Sequence, residues 1–112
     1  MTETRSPIVT VTAGRSPTAA VHGEFEMAAT FTVEPALERI ARTPELDLVT
    51  LDLAGATFID SVGLGVVIRL AGELEARGVA LRILPGPPEV QRVFEIAGLV
   101  DALPCERPAE RS

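Results

Sequence analysis

A chain of 112 residues with 46% hydrophobic content has the size of one domain and enough apolar side chains to bury a core. Its formal net charge of -6, from 16 acidic against 10 basic residues, offers no footprint for nucleic-acid phosphates or an anionic membrane, and four Phe with no Trp or Tyr make no stacking platform for single strands. The lone Cys105 allows no intrachain disulfide and no metal cluster; "MTETRSPIVT" lacks a signal-peptide layout and no apolar run reaches membrane-spanning length, so a cytoplasmic location is expected.

Residues 1 to 6 and 105 to 112 are polar and read as disordered tails around one domain, 7 to 104. "IVTVT" (Ile8 to Thr12) alternates β-branched residues, "AGRSP" is a turn signal, and "TAAVH" follows, which predicts a hairpin of two strands. "GEFEMAAT" breaks that pattern. From about Val33 to Arg42 the apolar residues Val33, Leu37, Ile40 and Ala41 recur at helical spacing, with Pro35 read as part of a first turn and Pro44 ending the helix at Thr43.

"LDLVTLDLA" (Leu46 to Ala54) has apolar residues at both parities, as a central strand covered on both faces does. After "GAT" and Phe58-Ile59 comes "DSVGLGVV", from which Val62, Val66, Val67, Leu70, Ala71 and Leu74 trace one helical face. Arg69, Glu73 and Arg77 form an expected charge ladder on the other side, and Gly78 stops the helix. "VALRIL" (Val79 to Leu84) is a further strand and "PGPP" a rigid loop. Pro88 opens a last helix with Val90, Val93, Phe94 and Ala97 on its core face, closed by Gly98. Strands alternating with helices predict an α/β sandwich.

Asp60 and Ser61 are both favoured N-cap residues, since either side-chain oxygen accepts from an orphan N–H of the first turn. Capping is therefore the plain reading of the pair. Three features add to it. The serine lies at the carboxyl end of a central strand, a usual place for a site in such sheets. Gly63, Gly65 and Gly72 weaken the helix by about 1 kcal/mol each against alanine, which calls for a close approach to its backbone, by the neighbouring sheet or by a ligand. A phosphate on Ser61 would sit at a helix N-terminus, where negative charge is favoured.

Other chemistries fare less well. A Ser61–His22 hydrolase lacks the G-x-S-x-G elbow, "GLG" lacks the third glycine or Lys-Ser/Thr of a phosphate cradle, and Glu24 and Glu26 read as a solvated loop without an acid/base partner. No set of base, nucleophile and oxyanion donors can be named, so the chain reads as a substrate for enzymes, not an enzyme, and no cofactor is called for.

Three segments in this order, "AAVHGEFEMAAT", "LVTLDLAGATFIDSVGLGVV" and "GVALRILPGPPEVQRVFEIAGL", resemble the STAS domain family and in particular bacterial anti-sigma-factor antagonists, over about residues 7 to 101. The resemblance implies a STAS-type sandwich: a mixed, mostly parallel sheet of about four to five strands, opened by an N-terminal hairpin, with helices packed on it. It implies that Ser61 is phosphorylated by an anti-sigma factor that is a serine kinase, that the unphosphorylated chain binds this kinase and frees a sigma factor, and that a PP2C-type phosphatase restores it. The partner surface so implied comprises Glu24, Glu26, Asp60, Ser61, Val62, Gly63, Leu64 and Val66.

The sequence departs from the family at Val62, which replaces a second Ser/Thr, and at Glu26, where Asp is common; it also ends soon after Leu103, with little room for a terminal helix. Val62 and the short C-terminus motivate the runner-up reading, a constitutive STAS interaction subunit of a multiprotein assembly such as a lipid-transport system. A third, a small-nucleotide or phosphate-binding domain, draws only on the glycines.

Overall fold

A computed structural model describes residues 4–5, 8–99 and 103, the first two as backbone alone. The expected C-terminal tail, with Cys105, lies outside the described residues, as does most of the expected N-terminal one. Within the latter, however, Thr4–Arg5 forms a short strand, β1, antiparallel to β2 (Val9–Val11). β2 and β3 (Thr18–Val21) are the expected hairpin, antiparallel with Val9 opposite Val21 and Val11 opposite Ala19.

β5 (Leu48–Asp52) lies parallel to β3, and β7 (Ala80–Leu84) parallel to β5, which gives a five-stranded mixed sheet in the order β1-β2-β3-β5-β7. The central position of β5 is the one its two-sided hydrophobicity called for: Val49 and Leu51 are fully buried and Thr50 nearly so.

Besides β1, two further short strands went unread in the sequence. β4 (Gly23–Phe25) and β6 (Ala56–Ile59) form a separate parallel pair, with Phe25 opposite Ile59. β4 continues almost directly from β3; Gly23, at φ 77°, turns the chain out of the first sheet where an L-side chain would be strained. Ser61 therefore follows β6, not the central strand β5 as expected.

The first helix also begins earlier than its apolar spacing suggested. α1 runs over Met27–Ala41, so Pro35 sits in its interior instead of its first turn. The ring removes one helical hydrogen bond on the exposed side, while Val33, Ala36, Leu37, Ile40 and Ala41 bury the opposite face; packing overrides a local cost of about 3 kcal/mol. α2 (Ser61–Arg77) closes with Gly78 in the left-handed conformation at φ 72°, and α3 (Pro88–Ile96) closes before Gly98.

One core cluster joins the layers, with Val21, Phe25, Val33, Leu37, Leu51, Leu53, Ile59, Val67, Leu70, Leu74, Ile83, Val90 and Phe94 all buried. α1 and α2 pack side by side, their N-termini adjacent and their C-termini joined by Arg77, whose guanidinium donates to the carbonyl of Ala41. Arg69 pairs with Glu34 of α1. The expected ladder along α2 is thus replaced by bonds across to its neighbour, because the facing helix is within reach. Ala97, expected on the core face of α3, lies past the helix end and is exposed, whereas Val90 and Phe94 are buried. Among the described residues no helix is long and apolar enough to cross a membrane.

Candidate functional site

The β4–β6 pair delivers two helix starts to one place. Each strand is followed by a single acidic residue and then by the first helical position: Phe25, Glu26, Met27 on one side and Ile59, Asp60, Ser61 on the other. Glu26 and Asp60 both have extended backbones and both cap their own helix, Glu26 Oε1 accepting from the Ala29 N–H at 3.1 Å and Asp60 Oδ1 from the Gly63 N–H at 2.9 Å. Of the two candidate caps in the sequence, Asp60 is the one used. Its second oxygen, Oδ2, accepts from the Met27 N–H at 3.1 Å, so one carboxylate serves the first turns of both helices.

This division of labour leaves the Ser61 side chain exposed at the head of α2. Among the described residues the N–H groups of Ser61 and Val62 have no acceptor, as expected for first-turn amides that only an external group can satisfy. Around the same end lie apolar side chains in water: Met27 is 57% exposed, Phe31 one turn further along α1 is 79% exposed, and Val62 is 39% exposed. Neither Met27 nor Phe31 was among the residues singled out in the sequence. Their signal was present only as the repeated order of apolar residue, acid, helix start in "FEM" and "IDS".

The remaining sequence candidates separate into surface and core. Glu24 is exposed, and in β4–β6 it stands opposite the partly exposed Phe58; Glu26 is half-buried as a cap. Leu64 and Val66, which the resemblance places in the partner surface beside Ser61, are 7% and 5% exposed and belong to the core cluster, because these positions of α2 turn toward α1 and the sheet. Gly63 is buried too. A Cβ there would stand 2.4 Å from the Phe25 carbonyl oxygen and 3.2 Å from Ile59 Cγ1, so this glycine answers to the sheet. At Gly65 and Gly72 a Cβ would meet nothing within 4 Å. His22 pairs with Thr10, Nε2 to Oγ1 at 3.3 Å, and among the described residues no hydrogen bond joins it to Ser61.

A strand–acid–helix unit used twice, with a hydroxyl at the head of the second, can now be set beside known proteins. The family model of the STAS domain matches residues 8–110. The chain belongs to the STAS domain family. A STAS-domain containing protein of Pseudomonas aeruginosa (strain UCBPP-PA14) is 30% identical over 84 residues, which cover 75% of this chain and 81% of that one.

Among solved structures, this STAS domain is similar to an anti-sigma factor antagonist from Mycobacterium paratuberculosis, with a TM-score of 0.80 and 20% identity over 89% of this chain and 85% of the other. It is similar also to the anti-sigma factor antagonist SpoIIAA in its unphosphorylated form, with a TM-score of 0.76 and 21% identity over 91% and 89% of the two chains. At these identities the likeness establishes the fold. The STAS-type architecture expected from the sequence, a mixed sheet opened by a hairpin with helices packed on it, is the one observed.

Proposed function

We propose that this STAS domain is an anti-sigma-factor antagonist and that Ser61 is its switch. Unphosphorylated, it binds in the cytoplasm an anti-sigma factor that is itself a serine kinase, and so frees a sigma factor for transcription. Phosphate on Ser61 ends the binding, and a PP2C-type phosphatase restores it. The observation that carries the reading is the exposed hydroxyl of Ser61 at a helix head with exposed apolar side chains of two helices beside it. The fold shared with two solved antagonists supports the general role.

Met27, Phe31 and Val62 offer apolar area that associates favourably with a partner only where no charge is trapped beneath it. The neutral hydroxyl meets that condition. A phosphate dianion beside the Asp60 carboxylate does not, since it adds like charge and a strong demand for water at the centre of the contact. The fold itself tolerates the modification: negative charge at a helix N-terminus is favourable by roughly 0.3–2 kcal/mol, and the Ser61 and Val62 N–H groups stand ready to receive it. The switch therefore acts on the interface and leaves the helix intact.

The test compares wild type, Ser61→Ala and Ser61→Asp for binding to the serine kinase that co-purifies with the unphosphorylated chain. Wild type and Ser61→Ala are expected to bind alike and Ser61→Asp at least about tenfold more weakly, a difference of ~1.4 kcal/mol. Equal affinity for all three removes the switch and leaves a constitutive binding subunit.

A further inference from the structure

The Asp60 carboxylate makes a connection that capping alone does not require. Oδ1 holds the Gly63 N–H of its own helix, and Oδ2 holds the Met27 N–H of the other. The cap on α1 is already supplied by Glu26, whose Oε1 takes the Ala29 N–H, so the Met27 bond is additional to it. Asp60 is anchored in turn, since its own N–H donates to the Phe25 carbonyl at 3.3 Å and its carbonyl accepts from Leu64 at 2.9 Å. The side chain is thus fixed on a rigid backbone with both oxygens committed to different helices.

Resting on the reading of Ser61 as the phosphorylated residue, we propose that Asp60 is a positioning residue for that reaction: its carboxylate clamps the first turn of α1 to that of α2 and so holds Ser61 in register with the Met27 and Phe31 side chains that the kinase grips. The clamp is specific to this geometry. Glu26, at the equivalent place before α1, makes no bond to α2 among the described residues. Phe31 and Met27 lie on α1 whereas the hydroxyl lies on α2, so a kinase that grips the first and phosphorylates the second depends on the angle between two separate helix starts. A surface divided between two helix starts binds best when both are already held in the arrangement the kinase needs, because aligning them on contact costs affinity.

Asp60→Asn is the variant of choice. Asparagine caps as well as aspartate, so its one carbonyl oxygen keeps the Gly63 N–H, while its NH2 group cannot accept from Met27. Two measurements on the full chain decide the matter. Amide exchange followed by NMR should become about tenfold faster at Met27 and change little at Gly63, the equivalent of losing one such hydrogen bond. In steady-state phosphorylation by the co-purifying kinase, KM should rise about tenfold with kcat held within about twofold, the pattern of lost binding in register. Val67→Ala, which loosens the buried side of α2 without touching the clamp, should do neither.

Unchanged exchange at Met27 overturns the clamp. A fall in kcat at constant KM overturns the positioning role, because it would place Asp60 at the reacting atoms. Should wild type itself never be phosphorylated at Ser61, the functional reading and the positioning role fall together, while the exchange data still tell whether the clamp exists.

Discussion

β4 runs into α1 through Glu26 and β6 runs into α2 through Asp60, with the strands paired in parallel and Phe25 opposite Ile59. Position by position, Met27 matches Ser61, Ala28 matches Val62 and Ala29 matches Gly63. Two differences separate the units. At the third helical position α1 accommodates the methyl of Ala29 in the core, whereas α2 has a glycine pressed onto the Phe25 carbonyl. At the cap, the acid of α2 serves both helices and the acid of α1 only its own. The second unit is therefore seated more closely on the strand pair and carries the first unit with it. A hydroxyl at the head of the more tightly held helix is presented on a rigid element, as the modification proposed for Ser61 would require.

The sharpest way to break this comparison is to exchange the third positions. Gly63→Ala puts a Cβ against a backbone oxygen that cannot swing aside, and the expected loss is about 3 kcal/mol or more, at the upper end of overpacking costs. Ala29→Gly should lose about 1–2 kcal/mol, from helix propensity and one buried methyl. Urea unfolding monitored by far-UV circular dichroism measures both. Similar losses for the two variants would mean that α1 and α2 sit equally close to the strands.

The caps give the next largest contrast. Asp60→Ala removes the acceptor of two N–H groups and should lower stability by about 2 kcal/mol, and Glu26→Ala, with one N–H left over, by about 1 kcal/mol. The same unfolding experiment reads the ratio. If Glu26→Ala proved the more damaging, the second oxygen of Asp60 would contribute nothing in solution.

The same comparison explains what the sequence disclosed and what it withheld. The start of α2 was legible because Asp and Ser are both preferred caps and Val62, Val66, Leu70 and Leu74 follow at helical spacing. The start of α1 was not. Glutamate is an uncommon cap, Glu24 and Glu26 on either side of Phe25 look like a polar loop, and Pro35 drew the expected N-terminus toward itself. β4 and β6 were missed for a related reason: three and four residues long, with Phe58 exposed, they carry too few alternations to declare a strand. The hairpin, β5, β7 and α3 had turn residues, two-sided hydrophobicity or an opening proline to mark them.

For the site, Ser61 and Asp60 were readable as a pair, but nearness in sequence does not tell which side chains share their end of the surface. Leu64 and Val66 lie close to Ser61 along the chain and face the core, while Met27 and Phe31, far away in sequence, share its end of the molecule. An exposed Met or Phe on a helix is indistinguishable from a buried one until the packing is known.

The smallest expected effects concern the two glycines on the outward side of α2, and they sharpen the contrast with Gly63. Gly65 and Gly72 carry no packing constraint, since a Cβ at either place would point into open space, and neither has a positive φ. Their cost to the helix is therefore not offset inside the fold. Gly65→Ala and Gly72→Ala should each raise stability by about 0.5–1 kcal/mol, a melting temperature higher by about 4 °C for a chain of this size. Calorimetry of the two variants beside Gly63→Ala then gives opposite signs for one substitution at three places on one helix. A loss of stability at position 65 or 72 would show that a methyl group meets a neighbour there, and the division of α2 into a constrained and an unconstrained side would no longer stand.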